Sequence, residues 1–190
     1  MELQRLVPAD YARVLVKLEC NNPTGSMKDR MAIAVIEQAE LDGRLQPGGT
    51  VVEYTGGSTG TPLALVCAAK AHRIRIVTSD AFSQEKRDHM RALGADLEEI
   101  PSDGGRITKE LIEAMINRAS QISNEPGTFY SDQLQNKDAV AGYHPLGEEI
   151  WSQAEGQVDA FVHVVGTAHS IAGTSTVLCS HNPDIRTIAV

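Results

Sequence analysis

The chain has 190 residues, of which 42% are apolar, enough for one domain with a sizeable core or for two small ones. A formal net charge of -8 and an aromatic content of 4% argue against nucleic acid as a partner. The first residues lack the pattern of a signal peptide, and no apolar run is long enough to span a bilayer, so we expect no membrane partner.

Predicted strands and helices alternate along the chain. In order they are strand 13–19, helix 28–43, strand 50–55, helix 62–72, strand 73–79, helix 83–94, strand 96–101, helix 107–123, strand 128–132, helix 139–154, strand 159–166 and strand 186–190. The run 159–166 is almost wholly apolar, which is typical of a strand buried on both faces, and Pro145 predicts a kink or a fresh start within 139–154. The alternation predicts mostly parallel sheets with helices on both faces.

The cysteines and histidines indicate a reducing compartment and no metal. Cys20, Cys67 and Cys179 are odd in number and widely spaced, so they predict neither a disulfide framework nor a redox pair. The six histidines show no ligand spacing with partner cysteines. We therefore expect a cytoplasmic protein without a metal site.

Three loops at strand-to-helix junctions could bind a ligand, and the first is NNPTGSMKDR, residues 21–30. Ser26 and Asp29 are spaced as in a capping box, which places Lys28 in the first turn of the following helix. The helix dipole disfavours a positive charge there, so the position suits a lysine that is neutral part of the time. An ordinary solvated lysine remains the alternative for this stretch alone.

The second loop is EYTGGSTGTP, residues 53–62. Its small residues let backbone N–H groups approach an anion, and the next helix is expected to begin with Thr61 as its N-cap. Neither the dinucleotide fingerprint nor a P-loop can be aligned with it. An anion site is the favoured interpretation, and tight strand–helix packing is the alternative.

The third loop is VVGTAHSIAG, residues 164–173, which follows a predicted strand. Gly166, Thr167 and Ser170 could offer amides and hydroxyls to a phosphate. Ala168 and His169 are bulkier than a phosphate cradle prefers, and an incidental loop position is an open alternative for His169. By itself this loop is weak evidence for a phosphate-binding site.

Taken together and in this order, the three motifs resemble the cysteine synthase family, tryptophan synthase β-like enzymes that depend on pyridoxal 5'-phosphate. The segment DQLQNKDAVAGYHPLGEEIW adds to the resemblance. The family resemblance implies an α/β fold of two three-layer α/β/α domains with mostly parallel sheets. The larger, cofactor-phosphate domain would comprise residues 1–32 and 133–190, and the smaller domain residues 33–132.

The resemblance also implies roles for individual residues. Lys28 corresponds to the lysine that carries the cofactor and acts in catalysis. Gln133 and the 55–59 loop correspond to the binding site for the substrate carboxylate, and Ser58 replaces an asparagine that contacts the cofactor. The residues implied for the substrate are Thr55, Gly56, Gly57, Ser58, Thr59 and Gln133, and those for the cofactor, besides Lys28 and Ser58, are Gly166, Thr167, Ala168, His169 and Ser170, where the family usually has Gly-Thr-Gly-Gly-Thr.

The activity implied is β-replacement on an O-activated serine with sulfide, giving cysteine. Against the family pattern the chain ends early, so the larger domain is expected to be incomplete and its uncovered sheet edge to favour a homodimer. Alternatives are a non-catalytic remnant that acts through cofactor or protein contacts, and a β-eliminating serine or threonine dehydratase. A nucleotide-binding domain with Asp80 as ribose partner is a third possibility, disfavoured by the missing fingerprint.

Overall fold

The structure, a computed structural model, describes residues 1–3, 5, 7–8 and 10–190; positions 4, 6 and 9 of the predicted larger domain lie outside the described residues. Helices and strands alternate through most of the chain. In order they are a 3-10 turn Glu19–Asn21, α1 Lys28–Leu41, β1 Thr50–Tyr54, α2 Gly60–Ala69, β2 Arg73–Ser79, α3 Gln84–Ala92, β3 Asp96–Ile100, α4 Lys109–Ile122, β4 Thr128–Tyr130, α5 Asp138–Ala141, α6 His144–Gln153, β5 Ala160–His163, α7 His169–His181 and β6 Arg186–Ala189.

The first sheet is parallel throughout, with the strand order β3-β2-β1-β4. Alternate residues of β1 point to opposite faces, and both faces are covered. On one face Val51 packs in a core with Leu63 of α2, and on the other Val52 packs with Met115 of α4. The predicted α/β class with a mostly parallel sheet is confirmed. All five residues of the central strand β1 are buried.

The second sheet consists of β5 and β6, which pair in parallel and are connected by α7. Helix α7 packs against α5 and α6. Val162 and Ile188 remain 59% and 42% exposed, so one face of this sheet is open. The prediction that 159–166 forms a strand buried on both faces is therefore wrong, and β5 is also shorter than predicted.

The predicted strand 13–19 is also wrong. Among the described residues, the β-bridge of this stretch is that of Leu15, antiparallel to Glu2, and the chain then turns into the 3-10 segment. Within the part of the chain that the structure describes, this stretch forms backbone hydrogen bonds with residues 1–3, at Leu3 with Val14 and at Met1 with Val16. Further along, Pro145 lies in the first turn of α6, as expected for a fresh start after α5.

None of the helices in the described ranges has the length and hydropathy needed to cross a membrane. Within the same residues, histidine, cysteine, aspartate and glutamate side chains do not gather in groups of three that could hold a metal ion.

Candidate active site

Lys28 is the first residue of α1, as its predicted place in the first helical turn requires. Gly25, at φ +73°, turns the chain before it, and the Lys28 N–H donates to Ser26 Oγ at 3.1 Å. The predicted capping box is wrong, because Asp29 Oδ2 accepts from the N–H of Thr24 at 2.8 Å instead. The carboxylate of Asp29 thus ties down the turn that leads into Lys28.

The Lys28 ammonium is held by a chain of hydrogen bonds that leads to Gln133. Lys28 Nζ donates to Thr59 Oγ1 at 3.1 Å, and Thr59 Oγ1 donates to Gln133 Oε1 at 2.5 Å. Gln133 Nε2 in turn donates to the carbonyl of Tyr54 at 2.7 Å. Burial lowers the pKa of Lys28, and the opposing charge of Glu53 raises it in part. The neutral form of the Lys28 amine is therefore more populated in this site than it would be in water at the same pH.

Glu53, in β1, is a fully buried carboxyl group that the sequence analysis did not single out. It accepts hydrogen bonds from the Tyr54 N–H at 2.9 Å, from Ser131 Oγ at 2.8 Å and from the Gln133 N–H at 2.9 Å. Burial raises its pKa to about 7, although these donors act in the opposite direction. The only signal in the sequence is a glutamate inside an otherwise apolar run, TVVEY.

The loop between β1 and α2 presents free backbone amides. Among the described residues, the N–H groups of Gly56, Ser58 and Thr59 have no protein acceptor. Thr59, not the predicted Thr61, is the N-cap residue of α2. A Cβ at Gly56 would lie 2.6 Å from the ring of Phe82, so any larger residue there would require this ring to move. The loop therefore has the free donors that the predicted anion site requires.

A cavity of about 270 Å³ opens beside Lys28, close to the lower end of the ~300–1,000 Å³ typical of ligand pockets. It contains six of the predicted site residues: Lys28, Thr55, Gly56, Ser58, Thr59 and Gln133. Gly57 does not line it. The residues that the sequence analysis missed are Tyr54, Phe82, Lys86, Ile112 and Met115. Lys86 Nζ lies 3.5 Å from Ser58 Oγ, so a second cation stands at this cavity.

The 166–170 loop does not line the cavity, but it has the features of an anion cradle. Within the described part of the chain, the N–H groups of residues 166–171 have no protein acceptor, and Ala168, at φ +65°, turns the chain into α7. His163 Nε2 and Ser170 Oγ are 2.8 Å apart.

His169, only 9% exposed, lies at the start of α7. Its Nδ1 atom is buried without a partner among the described residues. Its pKa is lowered by burial and then by the charge of Lys28, so the imidazole senses the lysine electrostatically. The third loop thus lies within electrostatic reach of Lys28, a relation that the sequence indicated only through the family resemblance.

The sequence matches the family described as pyridoxal-phosphate dependent enzyme over residues 1–190. The chain belongs to this family. Its similarity to cysteine synthase of Staphylococcus aureus (strain Mu50) is 39% identity over 193 residues, covering all of this chain and 60% of that relative. Among solved structures, O-ureido-L-serine synthase superposes with a TM-score of 0.85 at 34% identity, covering 99% of this chain and 58% of the other.

A second solved structure, cysteine synthase from Entamoeba histolytica, superposes with a TM-score of 0.84 at 35% identity. It is matched over 93% of this chain and 51% of its own. These structures support the tryptophan synthase β-like fold implied by the three motifs. The chain spans between half and two thirds of the length of these relatives.

The residues of this chain fit the cofactor of the family. A phosphate needs several free N–H donors, and residues 166–171 supply them at the start of a 13-residue helix. An aldehyde needs an amine that is neutral part of the time, and Lys28 is half-buried beside a cavity, with its pKa lowered by that burial. Asp80 is the residue that would bind the ribose if the chain were a nucleotide-binding domain. Its carboxylate instead accepts a hydrogen bond from the Ser102 N–H at 2.7 Å and is therefore already engaged within the chain.

Proposed function

We propose that this chain catalyses a pyridoxal phosphate-dependent β-replacement, in which sulfide displaces the activated oxygen of an O-substituted serine and cysteine is formed. The observation that carries the proposal is the hydrogen-bonded chain from Lys28 through Thr59 to Gln133, at the edge of a cavity lined by free amides. It joins the amine, the carboxylate-binding loop and Gln133, the three parts that the resemblance assigns to one site.

The cofactor would be held at two places. Residues 166–170 would receive its phosphate on their free N–H groups and on the hydroxyls of Thr167 and Ser170, and Lys28 would attach to its aldehyde carbon. Ser58 would face its ring, with a shorter reach than the asparagine usual in the family. When bound, pyridoxal phosphate supplies an electron sink for the carbanion left by removal of the substrate α-proton.

The substrate carboxylate would be bound by the loop from Thr55 to Thr59. The N–H groups of Gly56, Ser58 and Thr59, which have no acceptor in the described part of the chain, would donate to it. Gln133 Nε2 uses one hydrogen on the carbonyl of Tyr54 and keeps a second for the substrate. Three backbone donors and one amide donor are enough to orient a carboxylate with its α-carbon towards Lys28.

Once the substrate amine has taken its place on the cofactor, Lys28 would act as the base. Burial and its position at the start of α1 both favour the neutral amine that accepts the α-proton at Nζ. Thr59 Oγ1, 3.1 Å away, would keep that amine directed along the cavity and stabilise the ammonium that results. The same ammonium can return the proton after sulfide has replaced the β-substituent.

The direct assay is cysteine formation from O-acetylserine or O-phosphoserine and sulfide by the cofactor-loaded protein. Wild type should form cysteine, and Lys28→Ala should not. Release of pyruvate with or without sulfide would favour β-elimination instead. Cofactor binding without either product would favour a non-catalytic binder.

We further propose the two-domain division at 1–32 and 133–190 against 33–132, a homodimer and a cytoplasmic location. The two separate sheets support the division, although the boundary at residue 32 passes through α1. The open apolar face of the second sheet supports self-association. Three free cysteines are compatible with a reducing compartment.

A further inference from the structure

We propose that Glu53 is the positioning residue of the Lys28 site: its buried carboxylate fixes residues 131–133 against β1, orients Lys28 Nζ through Gln133 and Thr59, and supplies the negative charge that the amine faces. The inference rests on the proposed function for its meaning in catalysis. Its physical content concerns only this chain and can be tested without cofactor.

The first step is the attachment of residues 131–133. Glu53 Oε2 accepts from both Ser131 Oγ and the Gln133 N–H, at 2.8 and 2.9 Å. Between them Asp132 has φ +46°, a backbone conformation that non-glycine residues rarely adopt. One carboxylate oxygen therefore binds both ends of this turn, in addition to the hydrogen bond from the Ser131 N–H to the Val52 carbonyl at 3.0 Å.

Hydrogen bonds connect this turn with Lys28 through Gln133 and Thr59. Once its backbone is clamped, Gln133 places Nε2 on the Tyr54 carbonyl and Oε1 on Thr59 Oγ1. With Thr59 Oγ1 donating to Gln133, its lone pairs are left to accept from Lys28 Nζ. The direction of each hydrogen bond in this chain thus follows from the position of Gln133, which Glu53 sets.

Glu53 also affects Lys28 electrostatically. A fully buried carboxylate is costly unless it is paired and hydrogen-bonded, and three donors from protein satisfy Glu53. The charged or titratable groups facing it are Lys28 from α1, Tyr130 from β4, Asp132 from the turn and Tyr54 from its own strand. Lys28 is the one cation in this set, so ionised Glu53 acts chiefly to raise the pKa of Lys28.

To test this proposal, the apo-protein is labelled with limiting acetic anhydride across a pH series. The extent of acetylation of each lysine is then quantified by mass spectrometry. Lys86, at the same cavity, is an internal reference. In Glu53→Gln we expect the apparent pKa of Lys28 to fall by about one, a roughly tenfold rise in its neutral fraction below that pKa. Labelling of Lys86 should not change.

Ser131→Ala is the matched control, because it removes one hydrogen bond to the same oxygen but keeps the charge. It should lower stability and leave the Lys28 titration unchanged at pH values where Glu53 is ionised. Identical Lys28 titrations in wild type and a folded Glu53→Gln would overturn the proposal and leave Glu53 a purely structural residue.

If Glu53→Gln does not fold, the pH profile of Lys28 acetylation in the wild-type protein tests the proposal instead. The rise of Lys28 labelling with pH should flatten near pH 7, where Glu53 ionises, and then resume. A single smooth titration would contradict the inference. Because no cofactor takes part, a protein that fails to bind pyridoxal phosphate would refute the proposed function but not the role of Glu53.

Discussion

Replacing Glu53 by glutamine should make the stability of the protein less dependent on pH. In the folded chain burial raises the pKa of Glu53 from 4.5 to about 7. A group whose pKa is raised on folding stabilises the protein below its unfolded pKa, and this contribution is lost as the pH rises through the folded pKa. The interval from 4.5 to about 7 corresponds to about 3 kcal/mol.

The assay is urea unfolding followed by circular dichroism, for wild type and Glu53→Gln, between about pH 4 and about pH 8.5. The free energy of unfolding of the variant, minus that of wild type, should increase by about 3 kcal/mol across this range. The absolute difference also contains the altered hydrogen bonds to Tyr54, Ser131 and Gln133, but those do not vary with pH.

Glu98→Gln, on the edge strand β3, is the control. Arg118 lowers the pKa of Glu98, so this carboxylate stays ionised from about pH 6 upwards and its difference curve should be flat there. A Glu53→Gln difference that is equally flat over the whole range would refute the argument that Glu53 is buried with a raised pKa.

Three further substitutions test other parts of the site and of the surface. Lys86→Met should raise KM for the amino-acid substrate several-fold in low salt with little change in kcat, and an effect that persists at high salt would contradict the electrostatic reason. Ser170→Ala removes the contact with His163 and one hydroxyl donor, so the Kd for pyridoxal phosphate, measured by fluorescence, should rise by about three- to tenfold, whereas an unchanged Kd would remove this loop from the phosphate site. Val162→Glu places a charge on the open face of the second sheet and should convert a dimer to monomer in analytical ultracentrifugation, whereas an unchanged dimer would place the interface elsewhere.

The predictions that succeeded were local. The helix around Met115 and the strand at Val52 are set by periodicity, which needs no knowledge of distant residues. Lys28 was correctly placed in the first helical turn, although the capping box of Ser26 and Asp29 that the prediction used does not form. The order of three small-residue loops then indicated one family.

The predictions that failed depend on which segments lie side by side. The apolar run 159–166 suggested a buried strand, but burial depends on a covering layer, and Val162 has none on its outer face. Leu15 has the alternation of a strand, but among the described residues its β-bridge is an isolated one, to Glu2. Glu53 was overlooked because its partners, Ser131 and Gln133, are far away in sequence, and only the parallel pairing of β1 with β4 brings them together.

The central claim, that Lys28 attaches pyridoxal phosphate, is tested most directly by absorbance. Wild type incubated with the cofactor should turn yellow, and borohydride reduction followed by peptide mapping should place the label on Lys28. Lys28→Ala should remain colourless while Lys86→Met still becomes yellow. A colourless wild-type protein, or a label on Lys86 instead of Lys28, would contradict the account.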